Sequence, residues 1–337
     1  MPAPIRVLAG AALLLAPALV LAQRAAPAAQ RPAPAAGVTT PDRFRPAPER
    51  RDPRLEARLA ELTRGFQGDV GIYVRHLRTG RTATLRADES FPTASMVKVP
   101  ILVGLFDAVR RGTLDYNAPL TFRDSVVYKG DPGLIAKLRD SSRVPLPTLA
   151  LHMITISDNT ASLWLQGVVG GATINEWLAA HGYDSTRVNS RVPGREEARR
   201  RFGWGQTTPR EMARLLVGIR AGEVVSRAAS EEMYRYLTRI HWNGEALSQL
   251  PPWVQAASKQ GSVDRSKSEV VLVNAPGGDY VFCVITKNQA DTAYVAANAG
   301  YTLLRQVSAL LWKEFEPGHP WTPDPAAAAL KAGDEGP

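Results

Sequence analysis

Residues 95–102 read Ser-Met-Val-Lys-Val-Pro-Ile-Leu, with a serine and a lysine at the start of an apolar run. The run predicts a buried helix from Ser95 to Arg111 that ends at Gly112. The spacing of Ser95 and Lys98 places both side chains on one face of that helix. A serine hydroxyl attacks efficiently only when a base takes its proton, and a nearby cation would lower the pKa of a lysine enough for that task. The pair therefore predicts a nucleophile and its base.

Two further polar motifs follow along the chain. Ser-Asp-Asn at 157–159 comes directly after an apolar helix predicted over 146–156. These residue types also serve as helix caps, and the two interpretations are compatible. Lys-Gln-Gly-Ser at 259–262 precedes two predicted strands. A glycine in such a strand allows a close backbone approach, although an ordinary turn is the alternative.

The pattern of apolar residues predicts an α+β fold. A helix is predicted over 54–66, and alternation over 69–87 with a turn at Thr79-Gly80 predicts a strand hairpin. Helices follow, including one that starts at the capping box of residues 208–211 and ends near Gly222. Strands return over 270–273 and 280–286, and a last helix is predicted over about 293–315. The layout is an antiparallel sheet flanked by helices, with an inserted all-helical domain at about 93–222.

The order and setting of the three motifs resemble those of the class A β-lactamases and of the wider penicillin-recognising serine hydrolases. Those enzymes combine Ser-x-x-Lys, Ser-Asp-Asn and Lys-Thr-Gly. The resemblance covers most of residues 54–317, and it implies the β-lactamase/transpeptidase-like fold. It also implies an acyl-enzyme mechanism without a cofactor or a metal ion.

The resemblance implies catalytic roles for three residues. Ser95 would attack the substrate carbonyl and carry the acyl group. Lys98 would take or relay the proton of Ser95, and Ser157 would pass a proton to the leaving nitrogen. Asp158, the middle residue of the second motif, is expected to be structural.

The resemblance also implies a set of substrate-binding residues. Asn159 would hydrogen-bond the amide of the substrate side chain, and Lys259 would face the substrate carboxylate. Gly261 would allow the substrate to approach the strand. The backbone N–H groups of Ser95 and Ser262 would form the oxyanion hole, often the largest electrostatic contribution to acyl transfer.

Two departures from the family pattern bear on turnover. Gln260 stands where the family has threonine or serine, whose hydroxyl helps to bind the substrate carboxylate. Val192 stands in the loop 186–194, at the position where class A β-lactamases carry the glutamate that positions the deacylating water. Glu196 and Glu197 lie close by in the sequence and are the alternative source of a carboxylate.

Composition narrows the class of protein. The 337 residues are 45% hydrophobic and 22% charged, as expected for a globular chain, with a formal net charge of +9. No basic run is interleaved with aromatic residues, so nucleic acid is not an expected partner. The arginine run at 199–201 favours a solvated face. Cys283 is expected in the core, and the scattered histidines lack the spacing of metal ligands.

The ends of the chain predict export and flexible segments. A basic start and an apolar run predict a signal peptide over 1–22. The Ala-, Pro- and Arg-rich residues 23–53 predict a linker, and residues 318–337 predict a flexible tail. The mature protein is expected to be periplasmic or secreted, to have no stable membrane anchor after signal cleavage, and to be a monomer.

Three functions remain open at this stage. The first is a β-lactamase of the class A type that acts on β-lactams and deacylates slowly. The second is a carboxypeptidase acting on the D-Ala-D-Ala end of a peptidoglycan stem peptide. The third is a penicillin- or wall-binding module without hydrolysis, because membership of a fold does not fix a function.

Overall fold

The computed structural model describes residues 45–131 and 133–325. The predicted signal peptide lies outside these residues. The helices are α1 (Pro53–Leu62), α2 (Lys98–Arg110), α3 (Leu146–Thr155), α4 (Asn159–Val169), α5 (Gly171–Ala180), α6 (Glu196–Phe202), α7 (Pro209–Ala221), α8 (Arg227–Leu237) and α9 (Ala299–Phe315). The strands are β1 (Arg50–Arg51), β2 (Asp69–His76), β3 (Arg81–Leu85), β4 (Phe91–Pro92), β5 (Pro119–Thr121), β6 (Arg143–Pro145), β7 (Arg187–Val188), β8 (Gly205–Thr207), β9 (Ala256–Val263), β10 (Ser266–Val273) and β11 (Tyr280–Lys287).

The main sheet has six strands in the order β1-β3-β2-β11-β10-β9. Strands from the two ends of the chain meet in its centre, where β2 pairs with β11. The pairs are antiparallel, as predicted, except that β1 runs parallel to β3, so the sheet is mixed. The predicted α+β fold with a sheet flanked by helices is confirmed. Strand β9 is an edge strand, and this edge carries the candidate site.

The predicted linker over 23–53 is wrong in its last residues. Arg50 N donates to Gly80 O at 2.7 Å and Asp52 N donates to Thr82 O at 2.8 Å, which attaches β1 to the sheet. The Asp52 side chain then caps α1. This pairing uses backbone groups, which every residue type except proline supplies in full, so composition alone did not reveal it.

The predicted flexible tail over 318–337 is wrong in its first residues, and residues 326–337 lie outside the described chain. Trp312 Nε1 donates to His319 O at 2.8 Å. The Trp321 ring packs edge-to-face against Trp253, with 5.2 Å between ring centroids. The described residues up to 325 therefore include a segment packed on the domain. Within the described chain, no helix has both the length and the apolar character needed to cross a membrane.

Strand β11 is buried on both faces and so joins two apolar cores. Alternate side chains of a strand point to opposite faces. One face contributes to a cluster shared with the helical part of the chain, through Val281, Cys283 and Ile285. The other contributes to a cluster shared with α1 and α9, through Tyr280, Phe282 and Val284. Burying such a side chain stabilises the fold by about 1.5–3 kcal/mol relative to exposure, which fixes the sheet between two helical layers.

The helical part extends past the predicted boundary at 222. Helix α8 follows, and Ser226 caps it by accepting a hydrogen bond from Ala229 N. Its buried face is formed by Ala229, Met233 and Leu237, at the four-residue spacing of one helix face. Helix α7, by contrast, packs against strands β2, β10 and β11. The predicted insert therefore divides into helices that cover the sheet and helices that form a separate layer.

Candidate active site

A short 3-10 turn, Ala94–Val97, places Ser95 directly ahead of α2. The predicted helix therefore begins one turn later than expected. Ala94 adopts φ +43°, a sparsely populated conformation for alanine that is often associated with functional sites. Ser95 remains partly exposed and lines a cleft, whereas Lys98 is completely buried.

The amine of Lys98 connects the first two motifs. Lys98 Nζ lies 2.9 Å from Ser95 Oγ and 2.9 Å from Ser157 Oγ. It also donates to the Ser157 carbonyl oxygen at 2.6 Å and to Asn159 Oδ1 at 2.8 Å. The last two oxygens can only accept hydrogen bonds. They would therefore engage both hydrogens of a neutral lysine amine and leave its lone pair free for a serine hydroxyl.

The second motif lies at the corner between α3 and α4. Ser157 adopts φ +62°, which turns both its hydroxyl and its carbonyl toward Lys98. Asp158 caps α4 by accepting from Ala161 N at 2.8 Å, and it accepts from Ile135 N at 3.2 Å. Burial raises the pKa of the Asp158 carboxyl above its ordinary value. These contacts support the structural role predicted for Asp158.

The third motif brings a second buried lysine to Ser157. Lys259 Nζ donates to Ser157 Oγ at 3.1 Å, so this hydroxyl lies between two lysines. Lys259 also donates to Gln260 Oε1 at 2.6 Å and to Gln260 O at 3.0 Å. Gln260 is buried, and its Nε2 has no hydrogen-bond partner among the described residues. Gln260 stands where the family has a threonine or serine hydroxyl, and its amide oxygen faces Lys259 Nζ.

Gly261 allows β9 to lie directly beneath the nucleophile turn. A Cβ atom at this position would be 2.5 Å from Thr93 O and 3.0 Å from Ser95 N. Real Cβ atoms do not approach backbone atoms so closely, so a larger residue would push β9 away from Ser95. A close approach to this glycine was predicted for the substrate. In the structure, the backbone of Thr93 and Ser95 makes that approach.

Ser262 presents its backbone N–H at the free edge of the sheet. Its partner in the ladder, Lys267, forms hydrogen bonds with Thr286 instead, through both its N–H and its carbonyl. Directly opposed residues in an antiparallel pair share both backbone bonds or neither, so the Ser262 N–H points away from β10. Ser262 and Ser95 both line the cleft. This arrangement has the donors that an oxyanion hole requires.

The cleft in front of Ser95 has a volume of about 510 Å³ and a basic and aromatic lining. Its basic residues are Arg201, Arg265 and Lys287, and its aromatic residues are Tyr128, Phe202 and Trp204. None of the described residues that line it is acidic. The cleft therefore suits a substrate with negative charge and an apolar portion.

Neither the loop 186–194, where the family carries the deacylating glutamate, nor the glutamates that follow it bring a carboxylate to the cleft. Val192 is buried against Gly171, in the core of the helical part. Glu196 and Glu197 are exposed in the first turn of α6, and neither lines the cleft. Asn189 N and Ser190 N, in the middle of the loop, donate to Trp204 O at 2.7 and 3.1 Å and close it. As a result, the C-terminal end of α6, and not its acidic start, faces Ser95.

Sequence reasoning missed the walls of the cleft. Tyr128 and Trp204 pack edge-on with ring centroids 5.2 Å apart, and both come from loops without a periodic pattern. Arg201 belongs to the run expected to form a solvated face, and it is the member of that run that lines the cleft. Arg265 comes from the turn between β9 and β10. The predicted strands began only at residue 270, so no sequence signal pointed to Arg265.

The fold and the clustered motifs define a serine hydrolase of the β-lactamase and penicillin-binding-protein type. The model of the β-lactamase enzyme family matches residues 54–315, so the chain belongs to this family.

Individual relatives agree with this assignment. A β-lactamase of Streptomyces fradiae is 28% identical over 236 residues, which cover 68% of this chain and 76% of that protein. The structure of PBP-A is 28% identical and superposes with a TM-score of 0.71, covering 81% of this chain and 99% of PBP-A. A β-lactamase from Sphaerobacter thermophilus, 23% identical, shares the fold with a TM-score of 0.68 over 80% of this chain and 100% of that chain.

Proposed function

We propose that the protein opens β-lactam rings by forming an acyl-enzyme at Ser95 and releases the acyl group slowly. The observation that carries this proposal is the position of Ser95 Oγ, which faces the cleft 2.9 Å from the buried amine of Lys98. Ser157 touches the same amine at the same distance but does not line the cleft. Ser95 is therefore the hydroxyl that the cleft presents to a substrate carbonyl.

The contacts provide a balanced path for the acylation step. Ser95 Oγ bonds to the carbonyl carbon while its proton passes to the neutral amine of Lys98. As the ring C–N bond breaks, the leaving nitrogen takes a proton from Ser157, whose hydroxyl is refilled from Lys98 at 2.9 Å. Lys259, 3.1 Å from Ser157 Oγ, stabilises the negative charge that develops there. No other reactant is needed for this step.

Slow release follows from the lining of the cleft. A hydrolytic water needs a base that orients and deprotonates it, and none of the described lining residues is acidic. A leucine-to-glutamate variant of PBP-A was solved as an acyl-enzyme complex with penicillin G. That protein shares 28% sequence identity with this chain. The similarity supports covalent binding of penicillin by this chain.

A second candidate is a carboxypeptidase that acts on the D-Ala-D-Ala end of a stem peptide. The absence of an acidic residue among the described cleft-lining residues favours it, because it uses the same acylation chemistry without the class A glutamate.

Intact mass spectrometry of the mature protein with benzylpenicillin tests the proposal. We expect one stoichiometric adduct that forms faster than it disappears. Rapid loss of the adduct with fast turnover of a chromogenic cephalosporin would contradict slow release. No adduct would contradict acylation itself. Release of D-Ala from a model peptide would assign the carboxypeptidase function. A permanent adduct, with neither β-lactam hydrolysis nor D-Ala release, would indicate a penicillin-binding module.

Replacing Glu196 and Glu197 by glutamine together should leave the deacylation rate within about twofold of the wild type. Both carboxylates are exposed at the start of α6 and neither lines the cleft, so surface substitution there should have little effect. The decay of the penicillin adduct, followed by mass spectrometry, measures this rate. A trapped adduct in the double variant would show that one of the two glutamates activates the water.

We also propose export to the periplasm or the medium, supported by the basic start, the apolar run and Ala22 in the sequence. N-terminal sequencing of protein expressed with its full leader should give Gln23 or a residue within a few positions of it. Full-length protein that begins at Met1 in the membrane fraction would contradict this proposal.

A further inference from the structure

Two arginines of the cleft have no acidic partner among the residues that the structure describes. Arg201 lies in the last turn of α6, and Arg265 lies in the turn between β9 and β10. Both side chains are exposed, and both line the cleft of Ser95. Neither forms an ion pair with any described residue. A guanidinium stays protonated at every physiological pH, so the cleft carries two uncompensated positive charges on separate chain segments.

Other contacts orient these arginines without neutralising them. Arg265 Nη2 donates to Asn288 O at 3.2 Å. The Arg201 guanidinium lies over the Phe202 ring, 4.9 Å from its centroid. The third basic residue of the cleft differs, because Lys287 forms an ion pair with Glu89.

The acidic neighbour of Arg265 is already engaged. Asp264 Oδ1 accepts a hydrogen bond from Tyr294 OH at 3.0 Å, and Asp264 does not line the cleft. Among the described residues, Asp264 forms no ion pair with Arg265, so the guanidinium of Arg265 can bind an anionic group in the cleft.

The course of β9 from Lys259 to the turn with Arg265 indicates which side of Ser95 an acyl group would occupy, in the cleft that Arg201 also lines. Lys259, the residue expected to attract the substrate carboxylate, is near the middle of β9. Ser262 follows beside Ser95, and the strand continues to Val263 and the turn with Arg265. From Lys259 to Val263 the strand extends about 13 Å at about 3.3 Å per residue. A substrate carboxylate near Lys259 thus leaves its acyl portion running toward the arginines.

We infer that Arg201 and Arg265 select acyl donors that carry a second anionic group on the acyl side of the reacting carbonyl. Two substrates fit this chemistry: a β-lactam with a carboxylate on its side chain, and a peptide with a free carboxylate on the residue before its D-Ala-D-Ala end. Arginine suits this role because its planar donors match a carboxylate in bidentate geometry. The inference rests on the proposed acylation at Ser95 and adds a substrate preference to it.

Benzylpenicillin and α-carboxybenzylpenicillin provide a matched pair of probes that differ by one side-chain carboxylate. The measured quantity is the ratio of their second-order acylation rate constants, from mass spectrometry at low ionic strength. We expect Arg201→Gln and Arg265→Gln each to shift this ratio about two- to fivefold against the carboxylated penicillin, the upper part of the range for an exposed charge pair. Added salt should shift the wild-type ratio in the same direction.

Arg200→Gln is the control variant, because Arg200 is exposed on the same helix and does not line the cleft. It removes the same charge and should change the ratio less than twofold. An unchanged ratio in both cleft variants would overturn the inference. An equal shift in Arg200→Gln would overturn it as well, because it would mean that the net positive charge of the region, and not a contact in the cleft, sets the ratio. Equilibrium binding of both penicillins to Ser95→Ala gives the same comparison without acylation. A wild type that forms no adduct would therefore count against the proposed function alone.

Discussion

Ser95→Ala should abolish the covalent penicillin adduct completely while the fold survives. The variant removes one partly exposed hydroxyl from the start of α2 and leaves the apolar cores unchanged. Ser157 then supplies the remaining hydroxyl in contact with the Lys98 amine, and Ser157 does not line the cleft. Intact mass spectrometry after incubation with benzylpenicillin measures the loss, and the thermal unfolding midpoint measures the fold.

Ser157→Ala is the matched control, since Lys98 Nζ lies 2.9 Å from either hydroxyl. This variant should still form one adduct per chain, but more slowly, because proton delivery to the leaving nitrogen is lost. The direction of the difference between the two variants decides which serine is the nucleophile. An adduct that persists in Ser95→Ala and maps to the peptide containing Ser157 would reverse the assignment.

The fold was predictable because its signals are local and periodic. The hairpin of β2 and β3 follows from alternation around a turn, and α7 follows from its capping box and the glycine after it. The three motifs were recognisable because their residue types and order are specific when taken together. The structure then places Ser95, Lys98, Ser157 and Lys259 in one connected set of hydrogen bonds.

The remaining features depend on which part of a loop faces the cleft, and residue types do not encode that. In the run at 199–201, three identical side chains lie on one short helix, and only the third lines the cleft. Val192 illustrates the same limit. Its place in the sequence indicates a missing carboxylate, but its packing against Gly171 at the start of α5 is a contact between segments far apart in sequence.

Lys98→Ala should slow acylation by about 10²–10⁴, the usual range for loss of a general base. The wild-type amine is completely buried and is held by two oxygens that can only accept hydrogen bonds. That arrangement directs its lone pair toward a hydroxyl, and alanine offers no replacement. The second-order rate constant with benzylpenicillin, measured from pH 6 to pH 9, checks the loss. A loss below tenfold across that range would remove Lys98 from the mechanism.

Lys98→Arg separates the two ways in which this lysine could act. Arginine keeps a positive charge beside Ser95, but its guanidinium stays protonated and therefore cannot accept the serine proton. If Lys98 is the base, the arginine variant should lose as much rate as the alanine variant once circular dichroism shows that both are folded. If the lysine acts through its charge, arginine should restore most of the rate. A restored acylation rate would mean that another group near Ser95 is the base. Lys98 would then act only through its positive charge.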